Sequence, residues 1–204
     1  MIDFITFCDY VGTFAFAISG IRLASAKQFD WFGAYVVGAV TAVGGGTLRD
    51  LMLNCTPFWM TQPSYLIISG LALLFVLIFR KYVISLNNTF FIFDAIGLGL
   101  FGAVGIEKAL AFGFPMWTAT IMGTITGAFG GMIRDILINE VPLIFRKDIY
   151  ALACILGGFV YYICMQCGIT ASVTQLITVM SIMVTRVLAV KYHISLPVLV
   201  GEDE

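Results

Sequence analysis

The chain has 204 residues, of which 60% are hydrophobic and 11% are charged, and its mean hydropathy is +1.01. Soluble domains are about 45–50% apolar and about 25% charged, so this composition excludes an ordinary soluble fold. A net charge of −1 and the lack of any groove-reading motif exclude nucleic acid as a partner. No linker or low-complexity tract divides the chain, so we predict a single transmembrane domain over residues 1–204, surrounded by membrane lipids.

Seven apolar stretches follow one another along the chain, and each is long enough to cross the roughly 30 Å hydrocarbon core as a helix. The first has an acid where a signal peptide would carry basic residues, so we expect it to be retained. Helix is required because unpaired backbone amides are costly in lipid and the stretches lack the alternation of barrel strands. We therefore predict an all-α integral membrane protein with transmembrane helices at 4–21, 33–53, 64–79, 90–111, 116–138, 149–166 and 173–190.

Basic residues in the short loops are distributed unevenly between the two sides of the membrane. One side holds only Lys108, and the other holds Arg22, Lys27, Arg80, Lys81, Arg146, Lys147 and Lys191. Because cytoplasmic loops carry the excess of Lys and Arg, we predict the N-terminus outside and the C-terminus in the cytoplasm. Arg186 lies inside the seventh helix near its cytoplasmic end, and we expect it to extend to the interface.

The sequence contains an internal repeat. A shift of 85 positions aligns residues 9–57 with 94–142 without a gap. Each copy spans three helices, an odd number, so the copies enter the membrane from opposite sides. We predict inverted repeats at about 4–83 and 90–168, followed by the seventh helix at about 173–190. The identities include Asp9/Asp94, Gly12/Gly97, Phe16/Phe101, Gly20/Gly105, Ile21/Ile106, Gly38/Gly123, Thr41/Thr126, Gly45/Gly130, Gly46/Gly131, Arg49/Arg134, Asp50/Asp135, Asn54/Asn139 and Pro57/Pro142.

Glycines occur near the middle of the second and fifth predicted helices, at Gly44, Gly45 and Gly46 and at Gly130 and Gly131. Glycine costs about 1 kcal/mol relative to alanine within a helix and loosens it. We predict that both helices kink there, and that the freed carbonyls face a pore where K⁺ or Na⁺ binds transiently. The alternative is that these small residues let two helices pack closely.

Ionisable residues lie within apolar helices of both repeats, where they usually face partners or water. Their depth predicts that Asp9 pairs with Arg49 and that Asp94 pairs with Arg134, one pair on each side of the glycines. The alternative is that such pairs only fasten helices together. Glu107 and Lys108 are expected in an exposed loop, without a function. The predicted polar lining of an hourglass-shaped path is Asp9, Thr41, Arg49, Asp50, Asp94, Thr126, Arg134 and Asp135.

Enzyme chemistry has no candidate residues in this chain. The only histidine, His193, lies in the tail, and no serine or cysteine nucleophile has a base beside it. Cys164 and Cys167 have the spacing of a redox motif, but no histidine or second cysteine pair nearby completes a metal site. We expect no catalytic activity, no cofactor and no tightly bound metal.

The motifs Gly-Gly-Gly-Thr-Leu-Arg-Asp at 44–50 and Gly-Gly-Met-Ile-Arg-Asp at 130–135 resemble those of the prokaryotic trimeric intracellular cation channel family. The resemblance covers about residues 5–190, and related bacterial sequences are also grouped as a glycine-transporter domain family. It implies a homotrimer in the prokaryotic inner membrane. Each protomer would have its own pore, lined by the second and fifth helices, that conducts monovalent cations such as potassium. The Lys-Glu-Val segment of animal relatives is absent, so the resemblance implies no phosphoinositide regulation.

Two functions remain open at this point. The first is a passive potassium channel, with cation preference set by helix carbonyls, threonine hydroxyls and carboxylates. The second is a secondary transporter of a small amino acid such as glycine, because inverted repeats with broken helices are also typical of carriers. The small size of a three-helix unit favours the channel, as does the family resemblance. A membrane scaffold would explain neither the glycines nor the buried charges.

Overall fold

The structure is a computed structural model that describes residues 4–80 and 89–197. Lys81 and the predicted end of the first repeat at residue 83 lie outside the described residues. Within the described ranges the secondary structure is helical, with a 3₁₀ turn at Leu143–Phe145, apart from an isolated antiparallel bridge between Asp148 and Ser195. The helices are α1 (Phe4–Ala26), α2 (Trp31–Met52), α3 (Phe58–Thr61), α4 (Ser64–Ile78), α5 (Thr89–Ala111), α6 (Met116–Leu137), α7 (Ala151–Gln166) and α8 (Ala171–Lys191).

Apart from the four-residue α3, the helices coincide with the predicted apolar stretches, and the all-helical membrane architecture is confirmed. Most ends agree within two residues, whereas α1 continues five residues beyond its predicted end at residue 21, because helix formation does not stop where hydropathy falls. In the described part of the chain, four helices are long and apolar enough to cross a membrane, and Ser64–Ile78 and Ala151–Gln166 are shorter apolar helices. The exact count of seven spans stays a prediction.

The centre of the molecule is built from contacts that occur in pairs related by the shift of 85 residues. The rings of Phe16 and Phe101 meet each other, with centroids 5.3 Å apart. Gly12 lies against the Phe101 ring, and Gly97 lies against the Phe16 ring. The helices α1, α2, α5 and α6 pack around this centre, α4 covers α1 and α2, and α7 covers α6. The last helix, α8, packs on α5 and α7.

The same pairing appears where α2 and α6 end. Asn54 and Asn139 both adopt a left-handed conformation, with φ of 55° and 56°. Asparagine tolerates this conformation better than most residues, so it can end a helix as glycine does. The backbone amide of the next residue in each repeat then donates a hydrogen bond to a helix carbonyl. Cys55 donates to the Asp50 carbonyl at 2.9 Å, and Glu140 donates to the Asp135 carbonyl at 2.8 Å. The chain is thereby turned back over the aspartate side chains.

One end of the molecule carries a group of exposed ions. Lys27, after α1, forms a 2.7 Å ion pair with Glu140, after α6, and Arg146 lies 3.4 Å from the same carboxylate. The C-terminal tail joins this end, since the Leu196 amide donates to the Lys147 carbonyl at 2.9 Å. The outward faces of α4, α7 and α8 are apolar, as a lipid-facing surface requires.

Candidate functional site

A buried group of charges lies near the C-terminal end of α6, and we call Asp94, Arg134 and Asp135 the Arg134 cluster. Arg134 is fully buried, and its Nη1 donates to Asp94 Oδ1 and to the Ser19 hydroxyl, the latter at 2.8 Å. Its Nε donates to Asp135 Oδ1 at 2.9 Å. The predicted pairing of Asp94 with Arg134 is therefore present. Ser19 was not expected here, since nothing in the sequence distinguishes this hydroxyl.

A second group lies near the C-terminal end of α2, and we call Asp9, Arg49 and Asp50 the Arg49 cluster. Arg49 Nε donates to Asp50 Oδ1 at 2.7 Å, and both side chains are buried. Asp50 Oδ2 accepts the Phe58 amide at 3.0 Å, just as Asp135 Oδ2 accepts the Leu143 amide at 3.0 Å. The predicted pair of Asp9 with Arg49 stays a prediction.

A tyrosine accompanies each cluster. Tyr65 and Tyr150 are both buried and are related by the shift of 85 residues. Tyr65 packs edge-on against Phe58, with ring centroids 4.3 Å apart. The Tyr150 hydroxyl lies directly over Gly131, and Arg134 Nη2 lies against the same glycine. Continuing the repeat alignment past Pro57 and Pro142 would have found both tyrosines.

Glu107 and Lys108 correct one of the sequence expectations. Both belong to α5, which continues to Ala111, and they are not in a loop. Lys108 Nζ lies 2.8 Å from Asp50 Oδ1, and Glu107 accepts a hydrogen bond from the Tyr161 hydroxyl. The buried Asp50 carboxylate attracts the nearby ammonium. The depth argument that paired Asp94 with Arg134 places Lys108 at a depth similar to that of Asp50, but it does not select Lys108 as the partner.

Arg186 corrects a second expectation. Its side chain is 1% exposed, so it does not extend to the membrane interface. Nη1 donates to the Ile149 carbonyl at 2.8 Å, and the guanidinium lies 5.0 Å from the Phe91 ring centre and 4.9 Å from the Tyr150 ring centre. A carbonyl and two aromatic faces supply inside the protein the partners that the interface would otherwise provide.

The glycines lie where α2 and α6 cross. Gly45 lies against the Thr126 carbonyl and Gly130 against the Thr41 carbonyl, so closely that a Cβ on either would overlap the oxygen. Close packing, the alternative interpretation of the glycines, is therefore present at these two positions. Both helices are continuous across the glycines, so neither is broken there. The predicted kinks stay predictions.

The threonines beside this crossing use their hydroxyls within their own helices. Thr41 donates to the Val37 carbonyl and Thr126 to the Met122 carbonyl, each at 2.6 Å. Both side chains are fully buried. Only the lone pairs of these hydroxyls are then free to face a cation.

A cavity of about 180 Å³ adjoins the Arg134 cluster. Arg134 and Asp135 line its inner part, and Lys27, Glu140 and Arg146 line it at the exposed end of the molecule. A hydrogen bond from the Lys27 ammonium lowers the pKa of the Glu140 carboxyl from its ordinary value. The cavity gives a route from this end toward the buried charges.

No cluster of three or more histidine, cysteine or acidic residues that could hold a metal ion occurs within 4–80 and 89–197. Three buried polar atoms at the Arg134 cluster have no hydrogen-bond partner among these residues, namely Asp94 Oδ2, Arg134 Nη2 and Tyr150 Oη. Arg134 Nη2 does lie 2.9 Å from Asp135 Oδ1 as an ion pair. Buried polar groups are nearly always satisfied, so the cluster is suited to contact water or a hydrated ion.

The chain matches a known protein family. The family model described as "Glycine transporter" matches it twice, over residues 6–81 and 91–166. The chain belongs to this family. Among its relatives is a UPF0126 membrane protein of Vibrio cholerae, 41% identical over 93% of this chain and 80% of the relative. The UPF0126 inner membrane protein YadS of Escherichia coli K12 is 40% identical over 93% of both chains.

Solved structures show the same fold for this glycine-transporter family member. A TRIC cation channel is 34% identical with a TM-score of 0.87, over 99% of this chain and 100% of that chain. The trimeric intracellular cation channel orthologue from Rhodobacter sphaeroides is 33% identical with a TM-score of 0.87, over 93% of this chain and 98% of that chain. A prokaryotic TRIC channel crystallised in 0.5 M KCl is 31% identical with a TM-score of 0.85, over 94% and 98% of the two chains. The resemblance to the prokaryotic TRIC channel family is confirmed.

Proposed function

We propose that this chain is a passive cation channel that conducts potassium, and that it works as a homotrimer with one pore in each protomer. The observation that carries the proposal is the match to TRIC cation channel structures, which extends over 99% of the chain at a TM-score of 0.87. At 34% identity the match includes the sequence as well as the fold. The proposed location is the prokaryotic inner membrane, which is where the name of the Escherichia coli relative places that protein.

The conduction path in this proposal runs along α2 and α6 between the two charge clusters. The carboxylates of Asp9, Asp50, Asp94 and Asp135 raise the local concentration of cations at the two ends. The lone pairs of Thr41 and Thr126 and carbonyls near Gly44–Gly46 and Gly130–Gly131 hold a dehydrated K⁺ or Na⁺ transiently. The close contacts at Gly45 and Gly130 leave no space for an ion between the helices. In this proposal α2 and α6 bend or separate at these glycines when the channel conducts.

The finer architecture that we propose is a single domain of seven membrane spans, with inverted repeats at about 4–83 and 90–168. The two separate matches of the family model support the duplication. The paired contacts of Phe16 with Phe101, and of each glycine with the opposite ring, also support it. We propose the cytoplasm for the end that carries Lys27, Arg146 and Lys147, because positive charge accumulates on that side.

The second candidate function is a secondary transporter of a small amino acid such as glycine. The description of the family model favours it. A carrier would use the same residues differently, with Arg134 holding a carboxylate and Asp94 an ammonium group. The cavity of about 180 Å³ beside Arg134 is the candidate substrate entrance in that case.

The test is single-channel recording of the purified protein in planar bilayers under a KCl gradient, with glycine uptake measured in matched liposomes. A channel passes ions orders of magnitude faster than a carrier, so the two readouts separate the functions. We expect discrete openings and a reversal potential near that of K⁺. A silent bilayer together with saturable glycine uptake would overturn the channel and support the carrier.

A further inference from the structure

Each charge cluster carries one more acid than base within the repeat pattern. The residues related by the shift of 85 positions are two aspartates and one arginine in each repeat, so each set has a formal charge of −1. Both arginines and three of the aspartates are fully or almost fully buried. Because an unbalanced charge inside a membrane protein is costly, a further cation is expected at each end.

The two ends obtain this cation from different helices. At the Arg49 cluster it is Lys108 of α5, bound to Asp50 at 2.8 Å. The residue at the repeat-related position of the other end is Leu23, which has no charge. No repeat-related lysine therefore plays the same part at the Arg134 cluster, and Lys27, which lines the adjoining cavity, is paired with Glu140.

Arg186 of α8 is the candidate for this role at the Arg134 cluster. Its guanidinium lies against the ring of Tyr150, whose hydroxyl faces Gly131 beside Arg134. Tyr150 thus lies between Arg186 and the Arg134 cluster. With Arg186 counted, the Arg134 cluster has a formal charge of zero.

Structural needs alone do not require a charge at position 186. A neutral donor could bind the Ile149 carbonyl, and an apolar side chain could fill the space between Phe91 and Tyr150. Arg186 Nε is buried and has no hydrogen-bond partner among the residues that the structure describes. A full positive charge at this depth is therefore retained without a complete set of partners, although it is costly there.

We propose that Arg186 is the balancing cation of the Arg134 cluster and that it sets the affinity for cations at that end of the conduction path. This inference rests on the proposed channel function. Helix α8, which lies outside the repeats, thereby acts on permeation through Tyr150 without lining the path. Arg186 is a positioning and charge-setting residue, and it does not contact the permeating ion.

The test compares Arg186→Gln with Arg186→Lys in planar bilayers. Glutamine keeps a donor for the Ile149 carbonyl and removes the charge, whereas lysine keeps the charge. We expect Arg186→Gln to lower the half-saturating K⁺ concentration by roughly three- to tenfold for current that enters from the Arg134 end, as for one unit charge at about 10 Å in a partly polar medium. Because only one end changes, the current–voltage curve should become rectifying. Arg186→Lys should retain the wild-type curve.

Lys191→Met is the matched control, since it removes one exposed charge from the same helix. It should change neither affinity nor rectification. If folded Arg186→Gln channels match the wild type in both readouts, Arg186 only fastens α8, and the inference is wrong. A wild-type protein that passes no current would instead overturn the proposed function itself, together with this inference.

A second pair of variants applies if Arg186→Gln alone does not fold. Asp94→Asn removes one carboxylate of the cluster, and Asp94→Asn with Arg186→Gln restores a balanced charge. We expect Asp94→Asn to raise the half-saturating K⁺ concentration and the double variant to return it toward the wild-type value. A double variant that behaves as Asp94→Asn alone would overturn the inference.

Discussion

The Asp50 carboxylate has three partners at once. Oδ1 accepts from Arg49 Nε at 2.7 Å and from Lys108 Nζ at 2.8 Å, and Oδ2 accepts the Phe58 amide at 3.0 Å. The side chain is fully buried, so no water replaces a lost partner easily. Removing one member of a buried ionic group leaves the others without compensation, which costs more than the pair itself contributes.

Asp50→Asn should therefore destabilise the protein by about 3–5 kcal/mol, because it removes the buried counter-charge that both Arg49 and Lys108 contact. The measurement is thermal unfolding of the detergent-solubilised protein. Lys27→Met is the control, since it breaks the ion pair with Glu140, in which both side chains are at least 40% exposed to solvent, and should change the unfolding temperature little. Equal shifts of the unfolding temperature in Asp50→Asn and Lys27→Met would mean that the buried ionic contacts of Asp50 contribute no more to stability than an exposed ion pair.

Helices α2 and α6 meet at glycines, and the space available beside these glycines differs sharply between neighbouring positions. A Cβ at Gly45 would overlap the Thr126 carbonyl, which belongs to the α6 backbone and cannot rotate away. A Cβ at Gly44 would lie 3.2 Å from Ile133 Cδ1, the tip of a flexible side chain. The packing of α2 on α6 thus depends on one glycine far more than on its neighbour.

Gly45→Ala should destabilise the protein by about 1–3 kcal/mol or prevent folding, because the helices must move apart to admit the methyl group. Gly44→Ala should be neutral or slightly stabilising, since alanine favours a helix over glycine by about 1 kcal/mol. Thermal unfolding of both variants under the same conditions checks the difference. The opposite order of stabilities would exclude the close contact between Gly45 and Thr126.

The amino-acid sequence locates these helices because long apolar runs in lipid have one stable conformation. It also identified the glycines, since Gly45 and Gly130 hold equivalent positions in the repeats. It left open whether they kink the helix or allow close packing, because both interpretations use the same small residue. The contact of Gly45 with a carbonyl more than 80 positions away along the chain distinguishes them only when the two helices are placed together.

At the scale of the whole molecule, the loops between the helices lie at two opposite ends. Lys27 and Arg146 share one end through Glu140. Cys167 follows the end of α7, one helix length away from Arg146, and its side chain is exposed. The proposed orientation places Lys27 in the cytoplasm and Cys167 outside.

A membrane-impermeant maleimide should therefore label Cys167 in intact spheroplasts. Lys27→Cys, made in a Cys167→Ser background, should be labelled only after the membrane is permeabilised. Cys167→Ser alone is the control, because three of the four remaining cysteines are buried and the fourth, Cys55, is only half-buried. Labelling of Lys27→Cys in intact spheroplasts would reverse the proposed orientation.

The sequence by itself determined the membrane class, the helices, the 85-residue repeat and the arginines and aspartates of both clusters, because each follows from local hydropathy or from self-alignment. Tertiary structure decided which further side chains lie beside the clusters. Lys108 reaches Asp50 across 58 positions, and Arg186 reaches Tyr150 from a helix outside the repeats. A buried charge pairs with whichever partner lies near it in space. Neither hydropathy nor the repeat pattern gives the distances between side chains on different helices.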